Sequence, residues 1–185
     1  MSQFEFITVF ISIVLAFGVS DILASWGEQI RLRKIVRVYW LHVLWSALIL
    51  AVMVQVWWSL WVLRDSTDWT FIKYLLLIVP FLTLSLIAYL MTPSLQDKDA
   101  DIRRHYWDNA RWIFALASFY MCSAMTFSVV IVGNPLLELR NTIRVGALVL
   151  TISLAIWQNE KFHAIAAVAA GLLLASWIGV SMFSL

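Results

Sequence analysis

Polar sequence is what this chain lacks most. Nearly every stretch of its 185 residues that is not apolar and membrane-length runs to fewer than about 20 residues. Loops that short leave no room for a soluble domain. Charged residues make up 13% of the chain, well below the soluble average of about 25%, so a soluble surface is excluded. There is one cysteine, Cys122, so neither an intrachain disulfide nor a cysteine-based metal site can be built. No basic n-region precedes the first apolar run, which is therefore expected to stay as a membrane anchor rather than leave as a signal peptide. The net charge of +2 is small and divided among loops, which excludes a nucleic-acid-binding patch.

Chemical signatures are missing as well. The sequence has no G-x-S-x-G elbow, no H-E-x-x-H, no glycine-rich phosphate loop and no close carboxylate pair on one helix, so no catalytic residue is named. Asp97, Asp99 and Asp101 alternate around Lys98 without the glycine and closing glutamate of a calcium loop. His42, His105 and His163 show no ligand spacing and read as headgroup contacts at one membrane level. No metal and no cofactor is expected.

What the chain has is apolar length: 63% hydrophobic residues, 11 tryptophans and a mean hydropathy of +0.88. A spanning helix needs about 20 mostly apolar residues. Six segments qualify: Phe4 to Leu23, Tyr39 to Leu63, Phe71 to Met91, Trp112 to Val132, Pro135 to Trp157 and Phe162 to Phe183. The fold class is therefore all-α, a polytopic transmembrane helix bundle forming a single transmembrane domain over residues 1–185. The fifth span carries Glu138, Arg140 and Arg144 near its start, so five spans plus a re-entrant helix is the alternative. Asn134 before Pro135 reads as its start, because asparagine caps free N–H groups and proline suits the first turn.

Basic residues near span ends resist translocation. Arg31, Arg33, Lys34, Arg37, Lys98, Arg103, Arg104, Arg111 and Lys161 fall on one side, against Arg64, Lys73, Arg140 and Arg144 on the other. Both termini are expected outside the cytoplasm. Trp40, Trp107 and Trp157 mark the inner ends, and Trp57, Trp58, Trp61 and Trp69 one outer end, as rings with a polar N–H do at the headgroup level.

Charges and hydroxyls inside a span carry the functional weight, because each is costly in hydrocarbon. On the first span Glu5, Thr8, Ser12, Ala16 and Ser20 fall within one face about 120 degrees wide. Asp21 lies on another face, nearer the inner end. That stripe suits either a pore wall or an interhelical seam. Arg140 and Arg144 are expected partners for Glu5, and His42, Arg111 or Lys161 for Asp21. Such pairs are read as structural ties, as a cation or proton route, or, through the two arginines, as an anion selector. On the sixth span Ala167, Gly171, Ala175 and Gly179 recur every fourth residue, a bare face suited to close helix packing within the chain or between copies.

Two irregularities concern packing. Pro80 predicts a kink in the third span, with Thr83 and Ser85 available to freed carbonyls, and Gln55 is expected to bond across to a neighbouring helix. The pattern R-x-Y-W-x4-W occurs twice, at Arg37 to Trp45 and Arg104 to Trp112. It reads either as a parallel repeat of the kind transporters use or as the same interfacial anchoring arrived at twice.

The entrances "VYWLHVLW" and "HYWDNARW", with "WWSLWVLRD" between them, resemble small multi-spanning bacterial inner-membrane proteins of uncharacterised function. The resemblance covers mainly residues 30–115; it implies no activity and points to a bacterial inner membrane. Three function classes follow from the residues. The first is an oligomeric ion channel lined by the polar stripe of the first span. The second is a carrier of a small solute or of protons, and the third an accessory subunit without transport. Expected partners are membrane lipids, further copies of the chain, and an ion or small solute.

Overall fold

The computed structural model describes residues 2–66, 68–93 and 101–182. Asp97, Lys98 and Asp99, and the expected span end at Phe183, lie outside the described residues. Within them the fold is all-α, with no strand. The helices are α1 (Gln3–Arg31), α2 (Trp40–Ser59), α3 (Phe71–Met91), α4 (Ile102–Val130), α5 (Leu139–Ile156) and α6 (Glu160–Met182), and a 3₁₀ turn, Leu60–Leu63, prolongs α2. Six helices, counting α2 with its 3₁₀ turn, are long and apolar enough to cross a membrane.

The helix ends depart from the apolar runs. α1 continues eight residues beyond Leu23 and α4 begins ten before Trp112. At 1.5 Å per residue, a 29-residue helix is about 44 Å long, well over the roughly 30 Å of a hydrocarbon core. Outside hydrocarbon a helix needs caps rather than apolar side chains. Ser2 and Glu5 form a capping box at the start of α1, with Glu5 N to Ser2 Oγ at 3.1 Å and Ser2 N to Glu5 Oε2 at 2.9 Å. The Asp101 carboxylate accepts from the backbone of Arg103 and Arg104 at the start of α4, and Asn159 does the same for Lys161 and Phe162 of α6.

Asn134 and Pro135 do not start α5. Asn134 instead finishes α4: its backbone N–H reaches the Ser128 carbonyl at 3.1 Å and its side-chain amide the Ser128 hydroxyl at 3.1 Å. Gly133, at φ 79°, supplies the left-handed turn this requires. α5 begins later, after Glu138, and Arg140 and Arg144 stand in its first turns.

The helices close into a ring in the order α1, α3, α4, α5, α6, α2, with α2 also leaning inward onto α3 and α4. One end of the bundle gathers the start of α1 and the ends of α2 and α4, and is called here the terminal face. The opposite end, at Arg31, Trp40, Met91, Ile102 and Glu160, carries most of the basic residues and is called the basic face. α1 packs closely on α3 and α2 at Gly18. A methyl added at Gly18 would stand 2.5 Å from Met53 Cε, 3.1 Å from Ser85 Cα and 3.2 Å from Ala88 Cβ. Ser85 donates across that seam to the Val14 carbonyl at 2.7 Å, so it is not free to serve the Pro80 break; Thr83 bonds the Val79 carbonyl at 2.8 Å.

The basic face is sealed by an aromatic and histidine layer. Tyr106 O–H donates to His163 Nδ1 at 2.7 Å, and the opposite ring nitrogen donates to the Trp157 carbonyl, the end of α5, at 3.2 Å. A carbonyl only accepts, so the proton sits on Nε2. His42 and His105 use the same device on the last carbonyls of α3, reaching Met91 O at 2.8 Å and Leu90 O at 3.1 Å. The histidines are therefore not headgroup contacts. They bond carbonyls at helix C-termini, and two of them, His42 and His163, are fully buried in doing so.

The two R-x-Y-W-x4-W entrances meet here but are not equivalent. Tyr39 is the residue ahead of α2 whereas Tyr106 lies inside α4, and Trp45 is buried while Trp112 is 66% exposed. Their shared pattern supplies edge-on partners, Tyr39 to Tyr106 at 5.6 Å between ring centroids, rather than two copies of one unit.

Candidate functional site

The polar stripe of α1 makes no continuous path inside the chain. Glu5 is exposed and held by Ser2. Thr8 bonds back to the Phe4 and Glu5 carbonyls, as hydroxyls in helices do. Ser12 accepts from Trp57 Nε1 of α2 at 3.0 Å, and Ala16 and Ser20 are exposed. Asp21 is half-buried and makes no ion pair or hydrogen bond among the described residues.

The charge partners expected for these groups lie elsewhere. α1 packs on α2 and α3, whereas α5 packs between α4 and α6, so Arg140 and Arg144 are not packed against Glu5. Arg140 meets Glu138 at 3.7 Å. Arg144 donates to Asn141 Oδ1 at 2.8 Å, and its Cζ lies 4.3 Å from the centre of the Trp177 ring. His42 is committed to the Met91 carbonyl rather than to Asp21. On α6, Ala167 is buried and Gly171 approaches Leu48 of α2, while Ala175 is exposed and Gly179 faces open space.

The interior volume sits on the other side of the ring. A cavity of about 290 Å³ lies among α2, α3, α4, α5 and α6, with no α1 residue in its wall. That is near the lower end of the roughly 300–1,000 Å³ usual for small-molecule sites. Its wall is apolar along most of its depth, with Val52, Phe81, Leu84, Met121 and Leu173 among the lining residues. Trp45 and Phe114, edge to face at 4.8 Å, form its floor, and His163 lies directly behind Phe114 at 5.2 Å. Toward the terminal face the wall turns polar, at Ser128, Asn134, Arg140 and Arg144.

This polar end has a distinct charge pattern. The lining contains two arginines and no Asp or Glu. Arg144 is half-buried and makes no ion pair among the described residues; its partners, Asn141 and Trp177, are neutral. Tyr120 shares the wall, is only 7% exposed, and its hydroxyl has no hydrogen-bond partner among the described residues. Gln55, expected to bond to a neighbouring helix, instead lines the cavity, and its amide has none either.

Sequence reasoning missed this site because its residues come from five helices and no short spacing joins them. Two signals were present: arginines within the first two turns of an apolar span, and a mid-span Gln55. Among the described residues no group of three or more His, Cys, Asp or Glu side chains is placed to hold a metal. Set against protein-family models, curated proteins and solved structures, the chain matches none of them.

Proposed function

We propose that this chain is an integral protein of a bacterial inner membrane, both termini on the non-cytoplasmic side, that carries a small solute by way of the cavity among α2 to α6. One observation carries the reading: five helices of a single chain line the cavity, and a packed aromatic layer lies beneath it at the basic face. Alternating access needs a site near mid-membrane and a seal that can change sides. The floor is made of edge-on ring contacts and a few hydrogen bonds, which can part without unwinding a helix. The uneven placement of basic residues supports the orientation.

The second reading is an oligomeric channel walled by α1. Exposure of Glu5, Ala16 and Ser20 favours it, since exposed positions along one helix face are available to another copy. The exposed Ala175 and open Gly179 offer a bare surface for the same contact.

Flux into proteoliposomes separates these readings. A carrier gives saturable uptake that Ala147→Trp, which fills the cavity, abolishes and that Glu5→Gln and Ser12→Leu leave intact. Non-saturable conductance altered by Glu5→Gln or Ser12→Leu would instead establish the channel. Absence of any flux across a panel of ions and small anions would leave an accessory subunit.

A further inference from the structure

Resting on the reading that the α2 to α6 cavity holds the solute, we infer that its occupant is a single-chain amphiphile with one anionic head, a fatty-acid-like carboxylate, seated head-first against Arg144 and Tyr120.

Charge complementarity supplies the first argument. An arginine half-buried in an apolar wall is costly unless an anion or water meets it. Among the described residues the direct contacts of Arg144 are neutral, an amide oxygen at 2.8 Å and an indole face at 4.3 Å, which leave donors of its planar fork for a ligand. Glu138 is the carboxylate beside this end, and its ion pair with Arg140 offsets one of the two guanidinium charges. Arg144 itself makes no ion pair among the described residues, which suits a monoanion.

The second argument is the unpartnered hydroxyl. Tyr120 is more than nine-tenths buried and lines the same cavity as Arg144. A buried phenol normally finds an acceptor, and a carboxylate bound at Arg144 provides one.

Shape supplies the third. Behind the polar end the wall is aliphatic and aromatic down to the Trp45 and Phe114 floor, which suits an alkyl chain and not a small hydrated anion. At about 290 Å³ the space suits one chain and not the two of a bilayer phospholipid.

The test uses the full chain in phosphatidylcholine nanodiscs, with laurate, dodecanol and dodecyltrimethylammonium as probes, read by calorimetric binding. Laurate should bind saturably and, given the strength of a charge-assisted hydrogen bond, roughly tenfold or more tighter than the other two. Arg144→Gln should bring laurate to the level of dodecanol, Arg144→Lys should keep part of the preference, and Tyr120→Phe should weaken laurate alone by several-fold. Thermal unfolding confirms that each variant is folded; if Arg144→Gln is not, the milder Tyr120→Phe and the probe comparison decide. Equal binding of laurate and dodecanol, or laurate binding unmoved by either folded variant, would overturn the inference. So would a stoichiometric phospholipid released by Arg144→Gln, which would make the occupant a bilayer lipid.

Failure of this inference and failure of the carrier reading look different. Saturable uptake of acetate blocked by Ala147→Trp, with no laurate binding, would sink the amphiphile and leave the carrier. Arg144-dependent laurate binding without flux of any probe would do the reverse.

Discussion

Removing the hydrogen bond between Tyr106 and His163 should cost stability in a way that only a paired contact produces. Both side chains are fully buried, the donor–acceptor distance is 2.7 Å, and His163 packs against Trp107 at 4.9 Å and Phe114 at 5.2 Å. Tyr106→Phe keeps the ring and leaves His163 Nδ1 without a donor. His163→Phe keeps an aromatic ring in the cage but orphans the Tyr106 hydroxyl, while the Trp157 carbonyl keeps the Asn159 N–H at 3.0 Å. A buried polar group left unsatisfied costs about 1–3 kcal/mol. His163→Phe and Tyr106→Phe should therefore each lose about 1–3 kcal/mol. The Trp157 carbonyl loses the ring donor in both His163→Phe and the double variant, so that change cancels in the cycle. What remains is the pair itself, for which membrane proteins return about 0.6 kcal/mol on average and up to about 1.7. Reversible unfolding of the four proteins in mixed micelles gives the coupling. A sum of single effects matching the double variant within about 0.3 kcal/mol would refute the reasoning, because it is the value expected of uncoupled sites.

Three further outcomes follow from the packing. Gly18→Val should destabilise by about 1–3 kcal/mol in the same unfolding assay, since Met53 can swing aside but the Ser85 backbone cannot; an unchanged midpoint would deny the close α1–α3 seam. Glu160→Gln breaks its 2.8 Å pair with Arg103, yet at 38% and 62% side-chain exposure the loss should stay below about 1 kcal/mol. Labelling tests the orientation: with Cys122 replaced by serine, a membrane-impermeant maleimide applied to intact cells should reach Ser66→Cys and not Lys34→Cys, and the opposite result would reverse the assignment.

The presence of six membrane-length helices was legible because each has an apolar run, and in hydrocarbon a backbone must satisfy itself as helix. Their ends were not, since beyond the hydrocarbon a helix continues on caps. Ser2 with Glu5 spells S-x-x-E, a capping signature in plain view, and it accounts for Glu5 without an ion pair. Asn134 was legible as a cap but not as to which helix it serves, because it stands between two and its partner, Ser128, is chosen by the turn at Gly133. The histidines looked alike at one membrane level, while their acceptors, the final carbonyls of α3 and α5, depend on which helices become neighbours. Neighbours were also what hid the cavity. The ring order places α3 beside α1 and α6 beside α2, so α1 and α5 do not pack together and Arg144 turns toward Trp177 and Tyr120 instead of Glu5.

The most direct measurement is photo-crosslinking of the full chain in nanodiscs with a laurate analogue carrying a terminal diazirine, followed by peptide mapping. The account predicts labels on cavity residues of α2 to α6, among them Phe81, Met121 and Leu173, with competition by unlabelled laurate and loss of label in Ala147→Trp. Competable labelling concentrated on α1, along Thr8, Ser12 and Ser20, with the cavity residues unmarked, would contradict it.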